Sequence, residues 1–290
     1  MTGRIHAAGT VLLLTFLSWV LPLLSLFAVA ALALPTLRNG PREGGIIALI
    51  ALIGLVTFGG YLLGSPINAL SYGLLLWGPA WMTASAWRVT GKMSLAVMVA
   101  AAIGIMAVLV AYVLLDSPAT FWMDTFREIA GSTLAQAPSP ADRDDLLSSF
   151  MGFAPYLTGL VALGSVVSLT LSLFMARWWQ SMLYYPGGFG EEFKALTLPK
   201  KMAYGVIALV GVALASSGVI AELTWNIIQP CFVPFILSGF AVLHIGLGAR
   251  NFWLYGIYVL LLIVPYILLP ILILGLADTV LNIRQRLTKN

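Results

Sequence analysis

Charge is scarce in this chain: Asp, Glu, Lys and Arg make up 9% of its 290 residues, against about 25% in soluble globular domains. With 60% of the residues hydrophobic, a soluble fold would have no polar surface to cover its apolar mass. Cysteine is scarcer still. Cys231 stands alone, which excludes an intrachain disulfide and a cysteine-based metal cluster and leaves the redox compartment open. The two histidines, His6 and His244, lie at opposite ends of the sequence and supply no metal site of usual spacing. No Ser/His/Asp set can be brought together from the pattern. The run Gly187-Gly188-Phe189-Gly190 has no preceding strand and no following Lys-Ser/Thr pair, so it is not a nucleotide loop. No enzymatic activity, metal or cofactor is expected. The net charge of +4 is spread over the polar turns in small groups, as membrane topology requires, and is not a nucleic-acid footprint.

What the chain has in abundance is long apolar runs. Backbone groups in lipid must be satisfied within helices or closed barrels, and barrel strands alternate in polarity where these runs do not. The expected fold is therefore all-α, a polytopic transmembrane bundle over residues 1–290 with the lipid bilayer as its first partner. Apolar segments run over 46–63, 67–87, 93–115, 152–175, 202–221 and 227–248, each about the 20 residues that cross a hydrocarbon core of ~30 Å. Two runs are longer: 6–37, with Pro22 near its middle, and 251–276, with Pro265 and Pro270. The first resembles a signal peptide at Arg4 and Ala28-Val29-Ala30, but the equally hydrophobic remainder favours an uncleaved first helix.

Charge placement bears on those two runs. If each crosses once, there are about eight spans, and basic central loops facing the cytoplasm leave Arg4, Arg284, Arg286 and Lys289 outside. If each folds back at its prolines into paired short helices, there are ten elements, both termini are cytoplasmic, and of the 15 basic residues only Arg127 and Arg143 lie outside. The rule that basic loops stay in the cytoplasm favours the second arrangement. Residues 116–151 hold Asp116, Asp124, Glu128, Asp142, Asp144 and Asp145 and form an acidic extracytoplasmic loop. Phe121, Trp122, Thr125, Phe126, Ile129 and Leu134 fall at helical spacing, as do Leu146, Leu147 and Phe150 after the Pro138-Ser139-Pro140 break, which predicts two amphipathic helices.

Residues 176–201 organise the topology. Arg177, Lys194, Lys200 and Lys201 outnumber Glu191 and Glu192. Trp178, Trp179, Tyr184 and Tyr185 are rings of the kind that settle at headgroup level, and Pro186-Gly187-Gly188 turns the chain. The segment reads as a cytoplasmic loop, with Arg177, Trp178, Trp179, Gln180, Pro186, Gly187, Gly188, Phe189, Glu191 and Glu192 as an interaction surface for a cytoplasmic or membrane protein.

Polar side chains inside apolar helices are the default place to look for binding. Asn68 follows Pro66 near a helix start, where it can equally satisfy backbone donors. Gln229 precedes Pro230, and Pro230 and Pro234 predict a bent or discontinuous helix of the kind that lines cavities. His244 lies inside an apolar helix, where a bond to a neighbouring carbonyl is the plainer expectation. Glu222 reads as a solvated loop carboxylate, Glu191 and Glu192 as solvated charges balancing Lys194, and Asp278 with Asn282 and Arg284 as an interfacial cap or ion pair. Small residues at Gly159 and Gly164, Gly205 and Gly211, and Ala96, Ala100 and Gly104 suit close helix packing.

The chain resembles the YybS-like predicted membrane proteins of bacteria. The resemblance is carried by Leu34-Pro35-Thr36-Leu37-Arg38-Asn39-Gly40, Ala176-Arg177-Trp178-Trp179-Gln180 with Tyr185-Pro186-Gly187-Gly188-Phe189 and Glu191-Glu192-Phe193, Gly239-Phe240-Ala241-Val242-Leu243-His244, and Gly275-Leu276-Ala277-Asp278 with Arg284. That family is in turn similar to the substrate-binding S components of energy-coupling-factor transporters, whose short helix and proline-glycine turn the Asn39-Gly40-Pro41 segment resembles. The extra C-terminal helices and the acidic outer loop depart from those components. The reading is a bacterial inner-membrane protein that binds a small solute or lipid-like molecule between its helices as a transporter subunit, motivated by the bent Gln229-Pro230 helix and His244, with Asn68, Gln229 and His244 as candidate ligand contacts. The alternative is a non-transporting scaffold that recruits a cytoplasmic partner through residues 176–201.

Overall fold

A computed structural model describes residues 3–62, 64–135, 140–248 and 251–287. Among them every regular element is helical. The Pro138-Ser139 break, the turn at Arg250 and Lys289 lie outside the described residues, as do the side chains of Leu134, Asp142, Arg143, Asp144 and Leu146.

The first long apolar run is two helices, α1 (Arg4–Ser18) and α2 (Leu24–Asn39). Pro22 has no N–H with which to continue the ladder from Ser18, and the chain turns over residues 19–23 through short-range bonds such as Leu24 N–H to Leu21 O at 2.9 Å. The buried face of α1 is Ala7, Ala8, Val11, Thr15 and Ser18, and α2 buries an almost unbroken run from Ala28 to Ala33. These small side chains let the two backbones approach closely. Helices of 15 and 16 residues extend about 22–24 Å at 1.5 Å per residue, short of a hydrocarbon core.

Gly40, at φ 100°, ends α2, and Pro41 opens α3 (Pro41–Gly54). This sharp reversal presses α3 against α2: a Cβ on Gly44 would lie 1.9 Å from Thr36 Oγ1. The helix continues through a π turn at Leu55–Gly59 into α4 (Gly60–Leu62). Then come α5 (Pro66–Thr90), closed by Gly91 at φ 65°, and α6 (Met93–Leu114). The acidic segment forms the two anticipated helices, α7 (Pro118–Ala135) and α8 (Pro140–Phe153). Phe126 stacks on Phe150 at 3.9 Å and Met123 is buried, while Ile129, placed on the same face by spacing, is exposed.

A 3-10 turn at Ala154–Tyr156 leads into α9 (Leu157–Tyr184), followed by α10 (Gly188–Lys194), α11 (Lys200–Ala215) and α12 (Gly218–Leu247). Two expectations are corrected here. The stretch at 176–201 is not one loop, because Arg177, Trp178, Trp179 and Gln180 continue α9. Nor is α12 discontinuous: Pro230 and Pro234 lie within one uninterrupted helix, since neighbouring groups can satisfy the freed carbonyls.

The last long run divides into α13 (Asn251–Ile263), a 3-10 turn at Pro265–Ile267 and α14 (Leu268–Leu281), with a terminal turn of helix α15 (Ile283–Leu287). Val264, immediately before Pro265, sits at φ −128°, ψ 85°, the extended bias expected of a pre-proline residue. Pro270 falls in the first turn of α14, where its missing N–H costs nothing.

Four helical stretches are long and apolar enough to cross a membrane: Pro41–Leu62, Met93–Leu114, Leu147–Tyr184 and Gly218–Leu247. Length and composition thus give four spans among the described residues, not about eight. The terminal runs are cut into short pieces by proline, and α5, though 25 residues long, carries Asn68, Ser71, Thr83, Ser85 and Arg88. Large apolar side chains such as Leu75, Val113, Leu214 and Leu262 are more than 70% exposed. Soluble monomers rarely expose contiguous apolar surface on this scale. The chain is a membrane-embedded helical protein.

The chain divides into two compact units, one made of Met1–Ala100, Val167–Leu198 and Pro234–Asn290, the other of Ala101–Val166 and Pro199–Val233. These are its first and second units.

Candidate functional site

The second unit holds a buried polar cluster centred on Asn226. Glu222, Asn226 and Gln229 stand at i, i+4 and i+7 on α12 and so share one face. Asn226 is fully buried. Its Nδ2 faces Pro155 O at 2.7 Å, Glu222 O at 2.8 Å and the Tyr112 hydroxyl at 3.0 Å, and its Oδ1 accepts the Gly159 N–H. Tyr112 in turn donates to Glu222 at 2.6 Å, and Gln229 Nε2 donates to Tyr156 O at 3.1 Å. This face of α12 thus supplies side-chain donors to the Pro155 and Tyr156 carbonyls at the entry to α9. A Cβ on Gly159 would lie 2.6 Å from Asn226 Cα, and one on Gly104 would lie 2.5 Å from Val166 Cγ2. Of the small residues singled out by spacing, these two mark close crossings, whereas Gly164, Gly205 and Gly211 face open space.

Glu222 is therefore not a loop carboxylate. It is a half-buried helix residue with a hydroxyl partner, and Gln229 is committed to a backbone carbonyl. Sequence reading passed over Asn226 altogether. The signal was present in the i, i+4, i+7 polar stripe, and it was hidden by starting the helix at 227 rather than at Gly218.

The first unit uses its polar groups differently. Arg177 donates from Nε to Glu192 at 2.9 Å, from Nη2 to the other oxygen of the same carboxylate, and from Nη1 to Gln180 at 2.7 Å. Glu192 is thus part of an ion pair, not a solvated charge; Glu191 alone is exposed, 3.5 Å from Lys194. Gly187 takes φ 87°, a conformation favouring glycine, and the turn it makes lays α10 back on α9. Ser181 fixes the turn, donating to Tyr185 O at 2.8 Å and accepting the Phe189 N–H at 3.2 Å. Phe189 and Phe193 then meet Phe174 at ring distances of 5.5 and 5.9 Å, and Phe193 meets the edge of His244 at 5.4 Å.

His244 is half-buried. Its Nδ1 lies 2.8 Å from Phe240 O and its Nε2 lies 3.2 Å from the Tyr258 hydroxyl, so both ring nitrogens are occupied. Asn68 is exposed on the first turn of α5 and Gln229 belongs to the other unit. Among the described residues, no hydrogen bond joins Asn68 to His244. The buried pair at the C-terminal end is Asp278 with Arg284: Nε donates to Oδ2 at 2.8 Å, Nη2 to Ser238 at 3.0 Å, and Nη1 to Leu196 O at 2.5 Å. Arg284 thereby ties α14, α12 and the chain after α10 together.

What remains is a cavity in the first unit. It has a volume of about 270 Å³ and is walled by Ala7, Leu34, Pro35 and Ile47, with Arg4, Arg38, Glu43 and Tyr184 around its opening. Arg4 is neutralised by Glu43, at 2.9 and 2.5 Å. Arg38 donates to the Tyr184 hydroxyl and stacks 4.4 Å from the centre of that ring. A smaller cavity of about 90 Å³ adjoins Leu37, Arg88, Arg177, Gln180 and Glu192, so Arg4, Arg38, Arg88 and Arg177 gather at one end of this unit. Among the described residues no group of three or more His, Cys, Asp or Glu side chains converges. No protein family, no curated protein and no solved structure matches the chain.

Proposed function

We propose that this membrane-embedded protein binds a small amphipathic molecule between its helices, in the cavity framed by α1, α2, the start of α3 and the end of α9. The observation that carries the reading is the pairing of an apolar wall with two guanidinium groups at the mouth. An apolar pocket with a few convergent polar groups is the usual form of a small-molecule site. The expected contacts therefore move from Asn68, Gln229 and His244, which are exposed or already bonded, to Arg38, Leu34, Pro35, Ile47 and Leu183. The resemblance to the YybS-like proteins, and through them to transporter S components, extends the proposal to a solute-binding subunit of a transporter in the bacterial inner membrane. On this reading the end that gathers Arg4, Arg38, Arg88 and Arg177 faces the cytoplasm, both termini lie on that side, and no enzymatic step is involved.

The scaffold reading has less to support it. Arg177, Gln180 and Glu192 bond one another and Phe189 turns inward, which leaves Trp178, Pro186, Gly187 and Glu191 as the exposed residues of that interaction surface.

The test is to purify the protein in native lipid and identify co-purifying small molecules by mass spectrometry, for the native chain and for Leu183→Trp. Leu183 lines the cavity and is 68% exposed, so a larger ring there obstructs the mouth without disturbing the core. A molecule retained by the native chain and lost from the variant supports the proposal. Equal retention by both, or nothing retained by either, contradicts it.

A further inference from the structure

Resting on that cavity reading, we propose that the ligand is an anionic-headed amphiphile, a phosphate or carboxylate on an aliphatic chain, with Arg38 as the residue that reads the head. The charge balance points this way. The cavity is bordered by Arg4, Arg38 and Glu43, and Arg4 and Glu43 neutralise each other through two contacts. Arg38 has no carboxylate partner among the described residues. Tyr184 offers it a neutral hydroxyl and a ring face, and a guanidinium carries five N–H donors, most of which these contacts leave unused. Stacking on Tyr184 orients the planar group without neutralising it. A carboxylate or phosphate arriving at the mouth can take two parallel N–H bonds from such a group, while an ammonium head meets net positive charge.

Volume sets the other half of the ligand. At about 270 Å³ the cavity falls just under the roughly 300 Å³ at which small-molecule sites begin, so it takes a head and the first few carbons and no more. Ala7, Leu34, Pro35 and Ile47 give those carbons an apolar wall, and Leu183 at the mouth is open to the surroundings. In a membrane those surroundings are acyl chains, and the rest of the tail continues among them. A free inorganic anion would use the head position alone and leave the apolar wall empty.

The head and tail are common to a bilayer phospholipid and to a single-chain solute, and the experiment separates these sources. The full chain in a neutral maltoside detergent is titrated with dodecyl phosphate, dodecanol and inorganic phosphate, following thermal stabilisation. It is then placed in nanodiscs of phosphatidylcholine with and without phosphatidylglycerol, and dodecyl phosphate is titrated again. Dodecyl phosphate is expected to stabilise saturably, with inorganic phosphate at least tenfold weaker. Arg38→Gln should weaken dodecyl phosphate at least tenfold, Arg38→Lys should fall between, and Leu183→Trp should weaken it as well. Competition by phosphatidylglycerol identifies a lipid as the natural occupant; undiminished binding in its presence identifies a single-chain solute.

If dodecanol binds as well as dodecyl phosphate, is blocked by Leu183→Trp and ignores Arg38→Gln, the anionic head is overturned while the cavity reading survives. If inorganic phosphate equals dodecyl phosphate, the amphiphile is overturned. If none of the three probes binds the native chain, both readings fall.

Discussion

Asn226 and Arg38 are both polar side chains set among apolar helices, and they differ in what they have left over. Asn226 in the second unit is fully buried, and its amide is consumed by Gly159, Pro155, Tyr112 and the carbonyl of Glu222. Arg38 in the first unit is exposed at a cavity mouth and holds only a phenol. Burial alone would rank Asn226 as the functional residue. Unused bonding capacity ranks Arg38 first, because a group whose donors and acceptors are all spent inside the protein has nothing to offer a ligand without first breaking the fold.

The contrast can be broken in several places. The largest effect is expected at a third cluster of the spent kind, the Asp278–Arg284 pair. Both side chains are about nine-tenths or more buried, and leaving one of them alone costs about 3–5 kcal/mol. Asp278→Ala should therefore show a strongly lowered unfolding midpoint in detergent. Next comes Asn226→Ala, which strands the Gly159 N–H and the Pro155 carbonyl; an unsatisfied buried group costs about 1–3 kcal/mol, so a smaller but clear loss is expected. Gly159→Ala should destabilise through overpacking, by about 1–3 kcal/mol, because the new Cβ meets Asn226 backbone at 2.6–2.7 Å. Arg177→Gln should cost less than these. Its ion pair with Glu192 is between a fifth and a third exposed, and pairs near the surface are worth about 0–1 kcal/mol. Arg38→Gln should leave the midpoint unchanged to within a few tenths of a kcal/mol, as for surface substitutions away from such features.

Sidedness sharpens the same contrast. Cys231 is the sole cysteine and is buried, so single cysteines introduced on a Cys231→Ala background report cleanly. An impermeant thiol reagent applied to intact cells should miss a cysteine at Lys92 and reach one at Ser117. Labelling at Lys92 from outside would reverse the proposed orientation.

Much of the fold could be read from the chain because it depends on local chemistry. Pro22 and Pro265 cannot continue a helix, so the two long runs divide there. The acidic segment forms two helices because its apolar residues fall at helical spacing. The errors came where backbone and side chain obey different rules. Arg177, Trp178 and Trp179 looked like a loop because they are interfacial residues, yet a helix can carry its backbone past the point where its side chains become polar. Glu222 looked like a loop carboxylate because α12 begins at Gly218, several residues earlier than the apolar pattern suggests. The cavity itself was illegible. It depends on Arg4 meeting Glu43 and Arg38 meeting Tyr184, and no local pattern couples residues 39 or 146 positions apart.

The most direct measurement compares Arg38→Gln with Asn226→Ala by thermal unfolding in neutral detergent, each with and without saturating dodecyl phosphate. Arg38→Gln should keep the native midpoint and lose the increment given by the probe, while Asn226→Ala should lose several degrees of midpoint and keep the full increment. The opposite pattern, an unchanged increment for Arg38→Gln and none for Asn226→Ala, would contradict the account and return the binding site to the buried amide.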